Sequence, residues 1–420
     1  MTHQSADPAI PAGAGNREAS GHGKIVTSVR FSAPGRRRHE NGADVSIVLA
    51  WRILTHQKGR TALALVGIFM AILLVFIQLG LFFAVPQAGM LLYDNMRFDL
   101  LLVSDQYEYQ AQPGAFTLSW LDRVRASPNV AMATPIYLAI AKWKGGQAGV
   151  WPDVFVIGFD PASHVFLPNS IDRQSAVLER PDTIFVDSAT RPIFGPLTPG
   201  RVVEIGDREV KLGGQYLLGT GFMGLGVALA NEPNFARLFP GRGLGQVNLG
   251  PIRLKPGADP NRAGVDLRKL LGAGAQIFTR RELAAHEASY WTTRTSVGLI
   301  FGSGLLISVV VGIMVVYQIV STQVSRQLPQ FATLKAIGYG DDALAATVAA
   351  MSLLIVVAAF APALAAAVWV YQVIRQKTLL PVTMTPGHAA AVLATALAMA
   401  AIAALLALGG LRRADPADVF

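Results

Sequence analysis

The stretch STQVSRQLPQFATLKAIGYGDD, Ser321–Asp342, is the one substantial polar interruption in an apolar C-terminal third. Ser296–Val320 precedes it and Ala343–Ile374 follows it, and neither flank carries a formal charge. About 20 apolar residues at roughly 1.5 Å rise span a bilayer core of about 30 Å. The polar stretch is therefore expected to be a loop held at one membrane face between two spanning helices. Within it Phe331, Leu334 and Ile337 recur at helical spacing, Lys335 falls on a different face, and Gly338 offers a C-terminal stop. This pattern suits a short amphipathic helix on which a partner could press, and it equally suits an ordinary inter-helix turn.

The whole composition agrees with a chain partly dissolved in lipid. Of 420 residues 52% are apolar and 15% charged, against about 25% charged in ordinary globular domains. The absence of cysteine excludes disulfides, thiolate catalysis and cysteine-ligated zinc. A net charge of +9 would suggest nucleic acid in a soluble protein. In a membrane protein Arg and Lys instead gather on the side that stays inside.

Residues 1–44 are rich in Gly, Ala, Ser and Pro without apolar periodicity and read as a disordered tail. Arg36-Arg37-Arg38 reads as a solvated basic cluster rather than a lipid or nucleic-acid contact. Residues 45–60 place Ile47, Trp51 and Leu54 on one helical face, with Arg52, Lys58 and Arg60 available to headgroups. They are expected to form an interfacial helix on the cytoplasmic surface. Thr61–Val85 is uncharged throughout and reads as the first span. Residues 86–295 then form an extracytoplasmic domain, 296–320 the second span, 321–342 a cytoplasmic loop, and 343–374 the third span. Residues 375–388 return outside, 389–411 form the fourth span, and 412–420 a cytoplasmic tail. The fold class is thus an α-helical membrane domain of four spans plus an α+β extracytoplasmic domain inserted between spans 1 and 2, both termini being cytoplasmic.

In that domain, strands are expected at Asp99–Val103, Ile136–Trp143, Val154–Phe159, Thr183–Val186, Arg201–Ile205, Glu209–Leu212, Gln246–Leu254 and Ala275–Thr279, with a hairpin turn at Gly206-Asp207. Helices are expected at Ser119–Ala126, Pro233–Phe239 and Pro260–Leu271, the last with Val265, Leu267, Leu270 and Leu271 on one side. Arg280–Thr295 reads as a helix leading into the second span.

No catalytic or metal-binding constellation stands out. There is no G-x-x-x-x-G-K-[ST] phosphate cradle, no G-x-S-x-G elbow and no H-E-x-x-H, and the seven histidines lack ligand spacing. The spans hold no Asp, Glu, Lys, Arg or His in their cores, which argues against ion-coupled transport. Gln78 is the deepest notable polar side chain. Gly298, Gly302, Gly304, Ser308 and Gly312 form a small-residue ridge, suited equally to packing within the chain and to contact with a second copy. Pro362 should kink the third span.

Arg326, then QFATLKAIGY (Gln330–Tyr339) and two further spans, resembles the permease subunit of ABC exporters of the FtsX/MacB-like family. LAWRILTHQKGR (Leu49–Arg60) and LPQFATLKAIGY are most similar to its DevC-type branch. Leu328, Pro329 and Gln330 stand where many members carry an acidic residue. The resemblance covers about Val45 to Phe420 and implies a non-catalytic subunit with a MacB-like periplasmic domain in the bacterial inner membrane. It implies a separate ATPase that binds ATP and Mg, a permease homodimer, an adaptor and an outer-membrane channel, with no cofactor on this chain and no nucleic-acid partner. Arg326, Phe331, Leu334, Lys335, Ile337 and Gly338 would be the ATPase-coupling positions. The implied work is mechanotransmission, in which nucleotide-driven motion inside is passed to the outer domain. FtsX-like signalling to a cell-wall hydrolase and lipoprotein release are alternatives on the same architecture, and a membrane-anchored enzyme is an alternative of another class.

Overall fold

The computed structural model describes residues 51, 58–146, 149–219, 221, 224–327, 329, 333, 341–378 and 380–413. Among the described residues four helices are long and apolar enough to cross a membrane: α1 (Lys58–Asp94), α7 (Ser296–Arg326), α8 (Asp341–Thr378) and α9 (Pro386–Arg413). They pack around Ile68, Ile72 and Phe76 of α1, Val316 and Val320 of α7, Val348 and Ile355 of α8, and Val392 and Ala403 of α9. Three close approaches fix this bundle. A Cβ on Gly80 would lie 2.2 Å from the Tyr371 hydroxyl, which donates to the Phe76 carbonyl. A Cβ on Gly304 would lie 2.8 Å from Gln78 Oε1, and one on Gly312 would lie 2.0 Å from Met399 Cε. Small residues thus let side chains of the neighbouring helix seat against backbone, which is how helices pack where lipid removes any hydrophobic gain from association.

All four helices overrun the limits expected of their spans, α8 running from Asp341 to Thr378 and α9 from Pro386 to Arg413. The first helix continues through Pro86 to Asp94, because MLLYD beyond the proline keeps an apolar face to bury. The helix of the second span runs to Arg326, so Ser321–Arg326 belong to it and the expected loop can begin only afterwards.

Between α1 and α7 the chain folds into an α+β body. Its elements are β1 (Leu100–Ser104), β2 (Phe116–Thr117), α2 (Leu118–Arg125), β3 (Val130–Ala133), β4 (Tyr137–Lys144), β5 (Asp153–Phe159), α3 (Asn169–Leu178), β6 (Thr183–Asp187), β7 (Val202–Ile205) and β8 (Arg208–Tyr216). They continue with β9 (Val227–Asn231), α4 (Glu232–Leu238), β10 (Gln246–Val247), β11 (Gly250–Leu254), α5 (Pro260–Leu271), β12 (Ala275–Thr279) and α6 (Arg280–Ser289). One sheet has the order β12-β1-β11-β3, and a closed barrel runs β4-β5-β9-β6-β8-β7. The barrel pairs β5 with β9 and β6 with β8 in parallel. The β7–β8 hairpin turns at Gly206, whose φ of 62° suits a residue without a Cβ.

Strand β1 is buried along its whole length. Leu100 and Leu102 join one core with Leu121 of α2 and Leu267 of α5. Leu101 and Val103 join another, with Tyr93 from the end of α1 and Met96 just beyond it. On α5 the inward face is Ala263, Gly264, Leu267 and Leu271. Val265 and Leu270, expected beside them, are exposed at 44% and 47%, since they project from the flanks of the buried stripe. Gln246–Leu254 is likewise not one strand but the short β10 and β11.

Buried polar groups hold the barrel edge. Asn234 Nδ2 donates to the carbonyls of Leu178 (3.0 Å), Arg180 (3.0 Å) and Thr183 (2.9 Å), and its Oδ1 accepts from the Asp182 N–H (2.9 Å). Truncation orphans several of these groups at once. Asn234→Ala should therefore destabilise the body by about 2–4 kcal/mol, read as a lower denaturant midpoint of the full chain in detergent. Asn261→Ala, at an exposed turn of α5, should leave the midpoint unchanged.

Candidate functional site

The place where the body meets the bundle is built from three segments: the end of α1, the loop following β1, and α6 with the turn after it. α6 begins with a capping box in which Thr279 Oγ1 accepts from the Glu282 N–H and the Glu282 carboxylate accepts from the Thr279 N–H. Its first residue, Arg280, lies over the Phe98 ring at 4.2 Å. The same guanidinium donates to the carbonyls of Phe98 (3.2 Å), Tyr93 (3.2 Å) and Met96. A cation thus satisfies one carbonyl of the last turn of α1 and two in the segment that follows it, where the helix dipole also favours it.

Two turns further on, Leu283 and Glu287 occupy the buried face of α6. Glu287 is completely buried. Tyr107 donates its hydroxyl proton to Glu287 Oε1, and the Tyr93 and Tyr107 hydroxyls lie 2.6 Å apart. The second oxygen, Oε2, and the Trp291 Nε1 both face Gly89 of α1, at 3.0 and 2.8 Å from where its Cβ would be. Burial pushes the Glu287 carboxyl up to about 7, against the opposing hydrogen bonds from Tyr107, Trp291 and the Gln110 backbone. Tyr109 stacks on Tyr290 at 4.5 Å and meets Trp291 edge-on at 5.4 Å.

After Ser289 the helix widens into one π-turn, Tyr290–Arg294, and Thr295 is extended (φ −112°, ψ 152°) before α7 starts. The uninterrupted helix expected over Arg280–Thr295 is therefore broken. The cause is visible at Gly298, where a Cβ would lie 2.2 Å from the Thr292 carbonyl oxygen: the chain doubles tightly back onto its own backbone. Such π-turns concentrate at functional sites.

The body makes a second contact with the bundle. Arg191 donates to the carbonyls of Lys377 (2.8 Å) and Thr378 (2.7 Å) at the end of α8. The loop at Gly219 and Gly221 also lies on Leu91 and Ala88 of α1.

At the opposite end of the bundle, α1 and α7 flank an open groove of about 340 Å³ lined by Leu63, Ala64, Gln318, Ile319, Thr322, Gln323 and Arg326. Arg326 is exposed at the end of α7. Phe331, Leu334, Lys335, Ile337 and Gly338 lie outside the described residues. The small-residue ridge is distributed over several contacts: Gly298 against Thr292, Gly302 against Phe82 at 3.7 Å, Gly304 against Gln78 and Gly312 against Met399. Ser308 is buried and donates to the Gly304 carbonyl (2.7 Å). Among the described residues no group of three or more His, Cys, Asp or Glu is placed to hold a metal.

Residues 302–416 match the family model for the FtsX-like permease C-terminal domain. That stretch is therefore similar to an FtsX-like permease domain. Its match takes in most of α7 and all of α8 and α9, leaving the α+β body outside. No curated protein matches the chain. Among solved structures, the periplasmic region of MacB from Actinobacillus actinomycetemcomitans is similar at 12% identity and a TM-score of 0.33, covering 44% of this chain and 91% of that one. The extracellular domain of the noncanonic ABC-type transporter YknZ from Gram-positive bacteria is similar at 14% identity and a TM-score of 0.30, covering 43% of this chain and 99% of that one. Neither likeness assigns an activity.

Sequence reasoning passed over Glu287, Tyr107, Gly89 and Arg191. Only Glu287 left a local signal, a carboxylate four residues after Leu283 and so on the same helical face.

The two glycines of the G-x-x-x-G at the start of α7, Gly298 and Gly302, should behave oppositely. Gly298→Ala meets fixed backbone and should lower stability by about 1–3 kcal/mol, with loss of amide protection around the π-turn. Gly302→Ala meets only ordinary van der Waals contact and should be silent in thermal unfolding and hydrogen exchange of the full chain.

Proposed function

We propose that this chain is the permease subunit of an ABC-type exporter of the FtsX/MacB-like family, in its DevC-type branch, worked by a separate cytoplasmic ATPase. The observation that supports this most is α1, which shares one helix between two cores. Ile68, Ile72 and Phe76 belong to the bundle, and Met90, Leu92 and Tyr93 to the body. At about 1.5 Å per residue its 37 residues reach roughly 55 Å. A displacement of α1 at one end must appear at the other. In this reading the end at Lys58 and Arg326 faces the cytoplasm, the body stands outside, and the chain acts as a homodimer in the inner membrane. The body passes nucleotide-driven motion to an adaptor and an outer-membrane channel.

ATP and Mg belong to the partner subunit, and this chain has no catalytic residue of its own. The ATPase presses on Arg326 and on the following segment with Phe331, Leu334, Lys335, Ile337 and Gly338. A buried, unpaired carboxylate there is costly. Leu334→Asp should weaken co-purification of the ATPase encoded beside this chain by roughly 30- to 150-fold, equivalent to about 2–3 kcal/mol, and abolish stimulation of its ATP turnover. Thermal unfolding of the α+β body should not change. Full retention of both binding and stimulation in this variant would remove the coupling assignment, and ATP turnover by the purified chain alone would remove the division of labour.

A further inference from the structure

We propose that the buried Glu287 cluster is a proton-operated catch: with its carboxyl neutral, the π-turn stays seated on α1, and ionisation releases it. The inference stands on where the carboxyl is. Glu287 is completely buried at the crossing of α1, the loop after β1 and α6, immediately before the π-turn and the extended Thr295. It is the last acidic residue before the chain enters α7.

The groups facing it come from every packed element. From α1 come Tyr93 and the backbone of Gly89. From the loop come Tyr107, Tyr109 and Gln110, and from α6 and the π-turn come Trp291 and Tyr290. His286 and Glu108 adjoin them, His286 Nε2 lying 3.1 Å from the Glu108 carbonyl and its ring 5.5 Å from that of Tyr107. Arg294 faces Tyr290. Among the described residues no cation acts on Glu287 itself, so the hydrogen bonds from Tyr107, Trp291 and the Gln110 backbone replace only part of the hydration that a carboxylate loses here. Gln110 Oε1 is a buried acceptor without a hydrogen-bond partner. A neutral Glu287 brings a donor into this cluster, and an ionised one brings only further acceptors. Burial also holds the Tyr107 phenol well above its usual range, so Tyr107 remains a donor throughout.

The direction follows from linkage. The seated carboxyl titrates at about 7 and an unseated one near its ordinary value of 4.5. The seated form therefore keeps a proton that the unseated form loses, and seating weakens as pH rises from 4.5 until it levels off above about 7. Between about pH 5 and about pH 8 the unseating equilibrium should rise roughly 70-fold.

The test is hydrogen exchange of the full chain in lipid nanodiscs, following the amides of 288–294 after correction for intrinsic exchange. Their protection should fall roughly 70-fold across that range, while the amides of β1 stay unchanged. Glu287→Gln, which cannot ionise, should give a flat profile. Tyr107→Phe removes a donor to the carboxylate, so its profile should level off at higher pH than that of the wild type. A flat wild-type profile overturns the proposal, as does a slope that survives in Glu287→Gln. Where Glu287→Gln does not assemble, a Tyr107→Phe curve superimposable on the wild type overturns it as well. None of these measurements needs an ATPase, so the result is independent of the exporter reading.

Discussion

One helix belongs to two hydrophobic cores, and the remaining architecture follows from that constraint. The half of α1 from Ile68 to Phe76 is locked among α7, α8 and α9, and the half from Met90 to Tyr93 is locked beneath β1. Neither core can shift without displacing side chains of the other, because close-packed interiors transmit strain rather than absorb it. The glycines along α1 show how tightly this is enforced. Gly80 admits Tyr371, and Gly89 admits Trp291 and Glu287, so helix backbone is the contact surface at both levels.

Around α1 a few polar interactions join the body to the bundle. Arg280 closes the end of α1, and Arg191 closes the end of α8. Asp187 is buried in the barrel, which raises its carboxyl above the usual range, while N–H donors from Ala189 (2.8 Å), Leu218 (3.2 Å) and Gly219 (2.8 Å) oppose the shift. These three donors also hold the Gly219 loop that lies on α1. Polar contacts of partly exposed arginines therefore join the body to the bundle, beside the buried apolar contacts of α1.

What could be read in the chain beforehand was what is local. The apolar runs of α1, α7, α8 and α9 stand out because a bilayer demands length and the absence of charge. The Asp259-Pro260 start of α5 and the Gly206-Asp207 hairpin were equally legible. Long-range pairing left no such trace. The parallel pairings within the barrel join β5 to β9 and β6 to β8, and its closure joins β4 to β7, all across long stretches of chain. Strands β3 and β9 were missed because VAMA and VALAN are too short and alanine-rich to show an alternating pattern. Polar α3 was missed because only Ile171 and Leu178 of NSIDRQSAVL are buried. At the candidate site, the small-residue ridge announced close packing but not its partners, since spacing gives a face and not what covers it. Arg191 and Tyr107 reach the joint from distant loops, and no window of sequence contains both ends of such a contact.

The two connections between body and bundle differ in stiffness. Through α1 the hydrogen-bonded ladder is interrupted only where Pro86 lacks an N–H, so α1 behaves as a strut. At Thr295 the other connection leaves helical geometry altogether, so it behaves as a swivel. A load along the bundle axis then reaches the body off-centre, and an off-centre load on one strut produces a tilt rather than a lift.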